Sequence, residues 1–258
     1  MYIKKVSPSK LKSYDECKKK YKFRYIDRLR KTYNDNSNTD ALHFGSYVHR
    51  ILELGFEAKT VEELEKIAEE ERANYTFPKS FEKRVPSMLK NFLQLNEKLT
   101  EHISAEQVFE IPISDDYAIN GIIDRVVKGE TGKYLVIDYK TSKRAATKRE
   151  LFTDAQMIMY AYAISKMYNV SVADVTCAHY YPHMDKLVSV RFTPSHVAVF
   201  LRKLTNKIWE IRKKKKSEFP PQLNQFCNWC NFKNLCPEFG GTETMLEEAI
   251  SSERSVSV

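Results

Sequence analysis

The chain has 258 residues, of which 42% are hydrophobic and 12% aromatic, so it has enough apolar side chains for a core and is not disordered throughout. It carries 42 Lys and Arg against 34 Asp and Glu, which gives a formal net charge of +8. No apolar run approaches the roughly 20 residues of a membrane-spanning helix, and the N-terminus lacks a secretory-signal pattern. We therefore expect a soluble cytosolic protein without disulfides.

The first hundred residues are predicted to form four helices. Ser7 has the side chain of an N-cap for the first helix, which includes Cys17. Apolar residues recur at helical spacing in the second predicted helix. The four helices are expected over residues 11–25, 42–56, 60–74 and 81–101.

From Ala105 onward the pattern predicts mainly extended structure. Three consecutive strands are expected in QVFEIPI, YAINGIIDRVV and KYLVIDYKT. Residues 128–132 are predicted to form the turn between the second and third strands. They are not a phosphate-binding loop, because they lack the spacing of that motif. Then follow a helix over 147–168, strands in VTCAHYYP and KLVSVRFTP, a basic helix over 195–217, an irregular segment and a flexible tail over 241–258.

Two neighbouring predicted strands carry an acid near their ends, Asp124 and Asp138. Lys140 lies two residues beyond Asp138, so both side chains project from one face. If the strands pair as a hairpin, the carboxylates form an oxygen-rich site suited to Mg²⁺ or Mn²⁺. Lys140 can then orient water and offset charge on a phosphate. An ordinary ion pair at a strand end is the alternative that this fragment leaves open.

Four segments of the chain carry motifs in a fixed order. They are Gly45 to His49, Gly121 to Asp124, Asp138 to Lys140, and Gln156 to Tyr160. Together they resemble the GxxxH, first acidic, (D/E)XK and QxxxY motifs of the PD-(D/E)XK nuclease superfamily. The resemblance is strongest to its RecB-like exonucleases with an iron–sulfur cluster, such as the CRISPR-associated exonucleases and AddB-type nuclease domains. Ile123 stands where the family name has Pro.

The resemblance implies an α/β (α+β mixed) fold, with a restriction-endonuclease-like core whose central mixed sheet is flanked by helices. It implies catalytic roles for Asp124, Asp138 and Lys140. A Mg²⁺ or Mn²⁺ ion would be held by His49, Asp124, Asp138 and the backbone carbonyl of Tyr139.

Three further residues complete the predicted site. By resemblance Gln156 and Tyr160 would contact the DNA strand, and Glu110 is a candidate for an additional acid near the metal. The residues alone leave other interpretations open. His49 also suits a partly buried helix position, Gln156 and Tyr160 suit core positions, and Glu110 suits a solvated strand position.

Three cysteines, Cys227, Cys230 and Cys236, lie within ten residues, and this spacing is typical of zinc or iron–sulfur sites with four ligands. Cys17 is the natural fourth ligand. The resemblance implies a [4Fe–4S] cluster held by these four residues, whereas the spacing alone leaves zinc open. Cys177 is left as a buried free thiol.

The expected organisation is a single nuclease domain over residues 1–240. Its core spans about 41–217, and an iron–sulfur subdomain from about 1–30 and 218–239 joins the N- and C-termini.

The function implied by the resemblance is a metal-dependent DNA exonuclease that acts at ends of single-stranded DNA. It would serve DNA repair, recombination or phage- or CRISPR-related DNA processing in a prokaryotic or phage-infected cytosol. Basic and aromatic residues in 18–31, 143–149 and 212–216 suit single-stranded DNA, with a solvated charged face as the alternative.

We expect no membrane partner. Because the chain has no helicase motif, we expect it to accept an already open DNA strand or to work beside a separate helicase or recombination partner. Two other functions stay open. One is a non-catalytic DNA-binding or assembly module of a repair or spacer-acquisition complex, and the other is a zinc-bearing restriction-type endonuclease. The sequence does not specify cleavage polarity or oligomeric state.

Overall fold

The structure is a computed structural model that describes residues 3–30, 33, 39–99 and 101–255. The chain divides into two compact units, one formed by residues 1–38 and 205–258 and the other by residues 39–204. The strands are β1 (Lys5–Val6), β2 (Glu101–Ser114), β3 (Tyr117–Lys128), β4 (Tyr134–Tyr139), β5 (Val175–Tyr181) and β6 (Lys186–Arg191). The helices are α1 (Pro8–Glu16), α2 (Lys18–Tyr21), α3 (Asp40–Leu54), α4 (Val61–Glu71), α5 (Val85–Glu97), α6 (Lys148–Phe152), α7 (Ala155–Met167), α8 (Pro194–Lys213) and α9 (Glu243–Ser255).

The first predicted helix is interrupted at Cys17, which corrects the expectation of one continuous helix over 11–25. Cys17 has an extended backbone (φ −163°, ψ 117°) and ends α1 by donating its N–H to the Ser13 carbonyl. Its sulfur then accepts a hydrogen bond from the backbone N–H of Lys20 and so caps α2. Cys17 therefore lies in a break between two helices rather than on a helix face.

The predicted flexible tail over 241–258 is also wrong for most of its length. Glu243–Ser255 form α9, and its Leu246 and Ala249 are buried. They pack in a small core of the first unit with Phe23, Leu29, Phe232 and Leu235. Ile250, one residue further along α9, is partly buried and packs against the same core.

A mixed sheet forms the centre of the second unit. β2 pairs with β3 and β3 with β4 in antiparallel directions, whereas β4 and β5 run parallel and β6 returns antiparallel to β5. The three consecutive strands expected from Ala105 are confirmed, although β2 begins earlier, at Glu101. The predicted turn over 128–132 is confirmed as well, with Gly132 at φ +74°, a conformation that glycine adopts without strain.

Helices cover both faces of this sheet. Side chains of α3, α4 and α5 form a hydrophobic core with Ile137, Tyr139 and Tyr180, which lie on one face. α7 packs against β4 and β5 on the face to which Asp138 points. The mixed α/β fold with a central sheet flanked by helices is confirmed.

The predicted helix over 147–168 is two helices. Thr147 caps α6 in a capping box with Glu150, and Asp154 caps α7 by accepting from the backbone N–H of Gln156. Short polar side chains at such positions satisfy the free N–H groups of a new first turn. The second start places Gln156 in the first turn of α7.

A buried guanidinium fixes the sheet to the helices around it. Arg125 is fully buried and donates to Asn96 Oδ1 (2.5 Å), to the Phe56 carbonyl (3.3 Å) and to the Tyr139 hydroxyl (3.3 Å). A nitrogen of His102 lies 2.6 Å from the same guanidinium. Burial of a charge is tolerated only with such a set of acceptors, and the hydrogen bond from Arg125 holds the ring of Tyr139 on the face of the sheet opposite to Asp138.

In the part of the chain that the structure describes, no helix is both long and apolar enough to cross a membrane.

Candidate active site

The two predicted acids lie across from each other on neighbouring strands. The last paired residues of β3 and β4 are Arg125 and Ile137, and Asp124 and Asp138 follow one position beyond that pair. Opposite residues of an antiparallel pair project from the same face. The hairpin therefore brings the two carboxylates together.

Asp124 receives contacts from β4 and α3. Its Oδ2 accepts a hydrogen bond of 2.7 Å from the backbone N–H of Tyr139 and lies 3.3 Å from Nδ1 of His49. His49 also hydrogen-bonds the backbone of Tyr139. Burial, together with the ammonium of Lys140, lowers the pKa of His49, so its ring favours the neutral form that can ligate a metal.

Helix α3 can approach the end of β4 because residue 45 is glycine. A Cβ at Gly45 would lie 3.2 Å from Thr141 Oγ1, a contact that is tighter than usual. The GxxxH spacing then brings His49, one turn further along α3, to the acids.

Asp138 is held by Lys140 and Gln156. The Lys140 ammonium lies 2.5 Å from Asp138 Oδ2, and Gln156 Nε2 donates to Asp138 Oδ1 at 2.7 Å. Burial alone would lower the pKa of Lys140, but the Asp138 carboxylate outweighs it and raises that pKa. Lys140 is therefore a lasting positive charge inside the site.

The two acids are electrostatically strained. Burial raises the pKa of Asp124 well above its usual value, the nearby Asp138 raises it further, and the Tyr139 N–H and Lys140 only partly oppose this. Like charges in one buried site resist simultaneous ionisation. One lysine does not balance two carboxylates, so the site favours an additional cation.

Gln156 and Tyr160 form a chain of hydrogen bonds behind Asp138. Gln156 Nε2 also donates to the Tyr160 hydroxyl at 2.7 Å, and that hydroxyl donates to the Ile122 carbonyl at 2.5 Å. The Lys140 ammonium lies 3.5 Å from Gln156 Oε1. The structure thus places Gln156 in contact with Asp138 and Tyr160 in contact with Gln156, and their contact with DNA stays a prediction.

The acid of β2 that lies opposite Asp124 is Glu106, and the role of Glu110 as an additional acid near the metal stays a prediction. Glu110 is exposed and pairs in register with Asn120, far along the strand from Asp124. Glu106 stands between the pairs Ala105–Arg125 and Gln107–Ile123, directly opposite Asp124, and its charge raises the pKa of Asp124.

Glu106 has further signs of a functional position. It adopts φ +49°, which is uncommon for a residue other than glycine and concentrates at functional sites. Burial and the neighbouring Glu53 raise its pKa. Counting back from the β2–β3 turn would place Gln107 opposite Asp124, and the register shift between Pro112 and Ser114 brings Glu106 there instead, so the sequence pattern alone does not identify Glu106.

A cleft of about 540 Å³ opens over this site. Its lining includes His49, Glu53, Glu106, Tyr139, Lys140 and Thr141. His49, a predicted metal ligand, and Lys140, the predicted catalytic lysine, therefore face a space large enough for a backbone phosphate.

The donor set fits a hard divalent cation. Two carboxylates, a neutral imidazole and a backbone carbonyl match the ligand preferences of Mg²⁺ and Mn²⁺. Asp138 Oδ2 is buried and accepts no well-directed hydrogen bond. Within residues 3–30, 33, 39–99 and 101–255, no three His, Cys, Asp or Glu side chains already surround one point as metal ligands, and Lys140 instead contacts Asp138 directly.

The cysteine site lies in the first unit. Cys17, Cys227, Cys230 and Cys236 are free thiols that line one cavity of about 40 Å³. The Cys17 sulfur accepts from the backbone N–H groups of Lys20 and Gln222, and the Cys227 sulfur accepts from that of Asn224. Hydrogen bonds of this kind stabilise sulfur that carries negative charge.

Comparisons with known proteins agree with this geometry. A model of the PD-(D/E)XK nuclease superfamily matches residues 5–237. An ATP-dependent helicase/deoxyribonuclease subunit from Streptococcus agalactiae serotype Ia is 26% identical over 200 residues, which cover 70% of this chain and 18% of that protein. The protein of the same name from Streptococcus uberis is 26% identical over 152 residues, which cover 54% of this chain and 14% of that protein. The chain thus spans less than a fifth of the length of these relatives.

Among solved structures, a candidate exonuclease from Eubacterium rectale has a TM-score of 0.55 at 14% identity. The match covers 88% of this chain and 87% of that chain. This similarity shows the fold.

Replacement of Asp124 by Asn should stabilise the metal-free protein, because it removes a buried acid whose pKa is raised by burial and by Asp138, and it keeps an oxygen for the Tyr139 N–H. We expect a gain in the free energy of unfolding near pH 8 within the range of about 0.5–2 kcal/mol that single stabilising substitutions commonly give. The gain should grow as the pH rises above about 4, because the unfolded carboxyl then ionises while the folded one retains its proton. Urea unfolding with EDTA at several pH values measures it.

Asp115→Asn in the exposed β2–β3 turn is the control, with an expected change within about 0.5 kcal/mol. A gain for Asp124→Asn that shrinks as the pH rises would contradict the electrostatic strain.

Proposed function

This chain belongs to the PD-(D/E)XK nuclease superfamily, and from that premise we propose that it is a divalent-metal-dependent deoxyribonuclease that degrades DNA from its ends. The convergence of Asp124, Asp138 and Lys140, with His49 beside them, carries the proposal. An ion pair without function would not need a second buried acid whose pKa is raised by the first.

In the proposed site, His49, Asp124, Asp138 and the Tyr139 carbonyl hold Mg²⁺ or Mn²⁺. When bound, the ion supplies Lewis acidity at the scissile phosphate and makes water a better nucleophile. Lys140 keeps its proton, so it orients the water and donates to the oxygen on which negative charge develops. Gln156 fixes the Asp138 carboxylate, and Tyr160 fixes Gln156.

The surroundings of the site support DNA as the substrate. Lys143, Arg144, Lys148 and Arg149 follow Lys140 in the chain and are exposed. Such a basic segment at the rim of the cleft suits a phosphate backbone. Because Arg144 is paired with Glu150 at 2.7 Å, the two lysines and Arg149 are the stronger candidates for phosphate contacts.

We propose that the substrate is single-stranded DNA with a free end and that a separate helicase supplies it. The support is the name of the streptococcal relatives, in which helicase and deoxyribonuclease are joined. DNA repair and recombination are the processes that such a pairing suits, and phage- or CRISPR-related processing needs the same chemistry.

The direct test is digestion of single-stranded DNA labelled at the 5′ or the 3′ end. With Mg²⁺ or Mn²⁺ the parent protein should release labelled products, and Asp138→Ala should release none. Lys140→Met should lose about 10²–10³-fold in rate, the usual effect of removing one charge-stabilising donor. Asp115→Ala, an exposed acid outside the site, should match the parent.

Closed circular single-stranded DNA distinguishes the proposed mode from endonuclease activity, because an exonuclease that needs ends leaves it intact. Cutting of the circle at the same rate as the linear strand contradicts end dependence. Binding of DNA without any cleavage by folded, metal-supplied protein contradicts the nuclease assignment and favours a DNA-binding assembly module.

We further propose that Cys17, Cys227, Cys230 and Cys236 hold a [4Fe–4S] cluster. The support is that all four thiols line one cavity, and that four cysteines are a usual ligand set for such a cluster. Free thiols and a cluster also fit a reducing cytosol.

Anaerobic purification tests the cluster. The parent should be brown, with broad visible absorption that bleaches on reduction and about four iron atoms per chain. Cys17→Ser should lose iron, whereas Cys177→Ser, at a buried cysteine on β5, should keep it. A colourless protein with one zinc per chain contradicts the cluster.

A further inference from the structure

His179 is a buried side chain in the site that the motifs do not include. It lies on β5 directly beside Asp138 in the parallel register, and only 5% of its surface is exposed. Its Nε2 is 3.7 Å from Asp138 Oδ2.

Of these two atoms, one is a hydrogen-bond acceptor and the other can be a donor. Asp138 Oδ2, apart from its ion pair with Lys140, and His179 Nε2 are buried side-chain atoms that lack a hydrogen-bond partner within the described residues. Leaving such atoms unpaired is costly, and a carboxylate oxygen can be satisfied only by a donor. A movement of less than about 1 Å would bring the pair to the usual distance of about 2.9 Å.

The other ring nitrogen indicates which tautomer His179 adopts. Its Nδ1 is 3.3 Å from the Tyr181 hydroxyl, and that hydroxyl accepts a hydrogen bond of 2.8 Å from the backbone N–H of Ala146. The Tyr181 hydroxyl keeps its own proton available to donate to Nδ1. When it does so, the ring proton resides on Nε2, which faces Asp138.

We propose that His179 is a positioning residue that donates from Nε2–H to Asp138 Oδ2 and holds this carboxylate for metal binding. Gln156 holds Oδ1 of the same carboxylate, so the two donors together fix its orientation. The inference rests on the proposed metal-dependent function. Residues that orient a metal ligand in this way typically change metal affinity about 10–100-fold when they are replaced.

The test measures Mn²⁺ binding to the full chain without DNA, by titration calorimetry and by the electron paramagnetic resonance signal of free Mn²⁺. His179→Leu, which removes the donor, should weaken Mn²⁺ binding about 10–100-fold. His179→Gln, whose Nε2 can replace the histidine donor, should recover most of the affinity. Cys177→Ala is the matched control, because Cys177 is buried two residues earlier on the same face of β5, and it should bind Mn²⁺ like the parent.

Each outcome decides the inference. Parent-like affinity in a folded His179→Leu protein overturns it, and so does equal weakness of His179→Gln and His179→Leu. If His179→Leu does not fold, Tyr181→Phe replaces it, since loss of the hydroxyl removes the donor to Nδ1. A several-fold loss of Mn²⁺ affinity in that variant supports the inference, and unchanged affinity overturns it.

Failure of the proposed function gives a different result. If the parent itself does not bind Mn²⁺ and Asp138→Ala behaves identically, the metal site is wrong. If the parent binds Mn²⁺, Asp138→Ala does not, and the His179 variants bind it as the parent does, the metal site stands and the positioning role is wrong.

Discussion

The burial of two like-charged carboxylates at the ends of paired strands is the constraint on which the rest of the site depends. Asp124 and Asp138 face each other because β3 and β4 form a hairpin, and burial makes their mutual repulsion costly. The adjoining strands extend the arrangement, so that Glu106, Asp124, Asp138 and His179 form one row across β2, β3, β4 and β5. A row of three acids and one histidine is unfavourable in a core unless it binds a cation.

Separate elements of the fold supply the residues that contact the two aspartates of this row. His49 comes from α3, which can approach because Gly45 has no side chain, and Gln156 comes from the first turn of α7. Beneath the row, the buried Arg125 holds Tyr139 through its hydroxyl, and the backbone N–H of Tyr139 in turn donates to Asp124. Rigid strands and side chains held by hydrogen bonds suit a site that must keep like charges close together, because a flexible site would let those charges move apart.

Local pattern was enough to predict the strands and the acids, because alternation and a short turn determine a hairpin register. Glu106 was not predictable in this way, because a register shift between Pro112 and Ser114 moves β2 by one residue relative to β3. The break at Cys17 and the start of α7 at Asp154 depend on single caps within otherwise helical sequence, which periodicity does not detect. No motif or periodicity in the sequence indicates that His179 lies beside Asp138, because the two residues are brought together by a parallel pairing between strands that are distant in the sequence. The helix α9 was missed because its apolar residues are few, and those that pack are Leu246, Ala249 and Ile250.

The central claim is that these strand-end acids are a divalent-metal site, and crystals soaked in Mn²⁺ test it most directly through anomalous scattering. The account predicts a Mn²⁺ peak within ligand distance of Asp124 and Asp138, with His49 and the Tyr139 carbonyl completing the site and Lys140 displaced from its ion pair with Asp138. An anomalous map without a peak there, with Lys140 still in contact with Asp138 at saturating Mn²⁺, would contradict it.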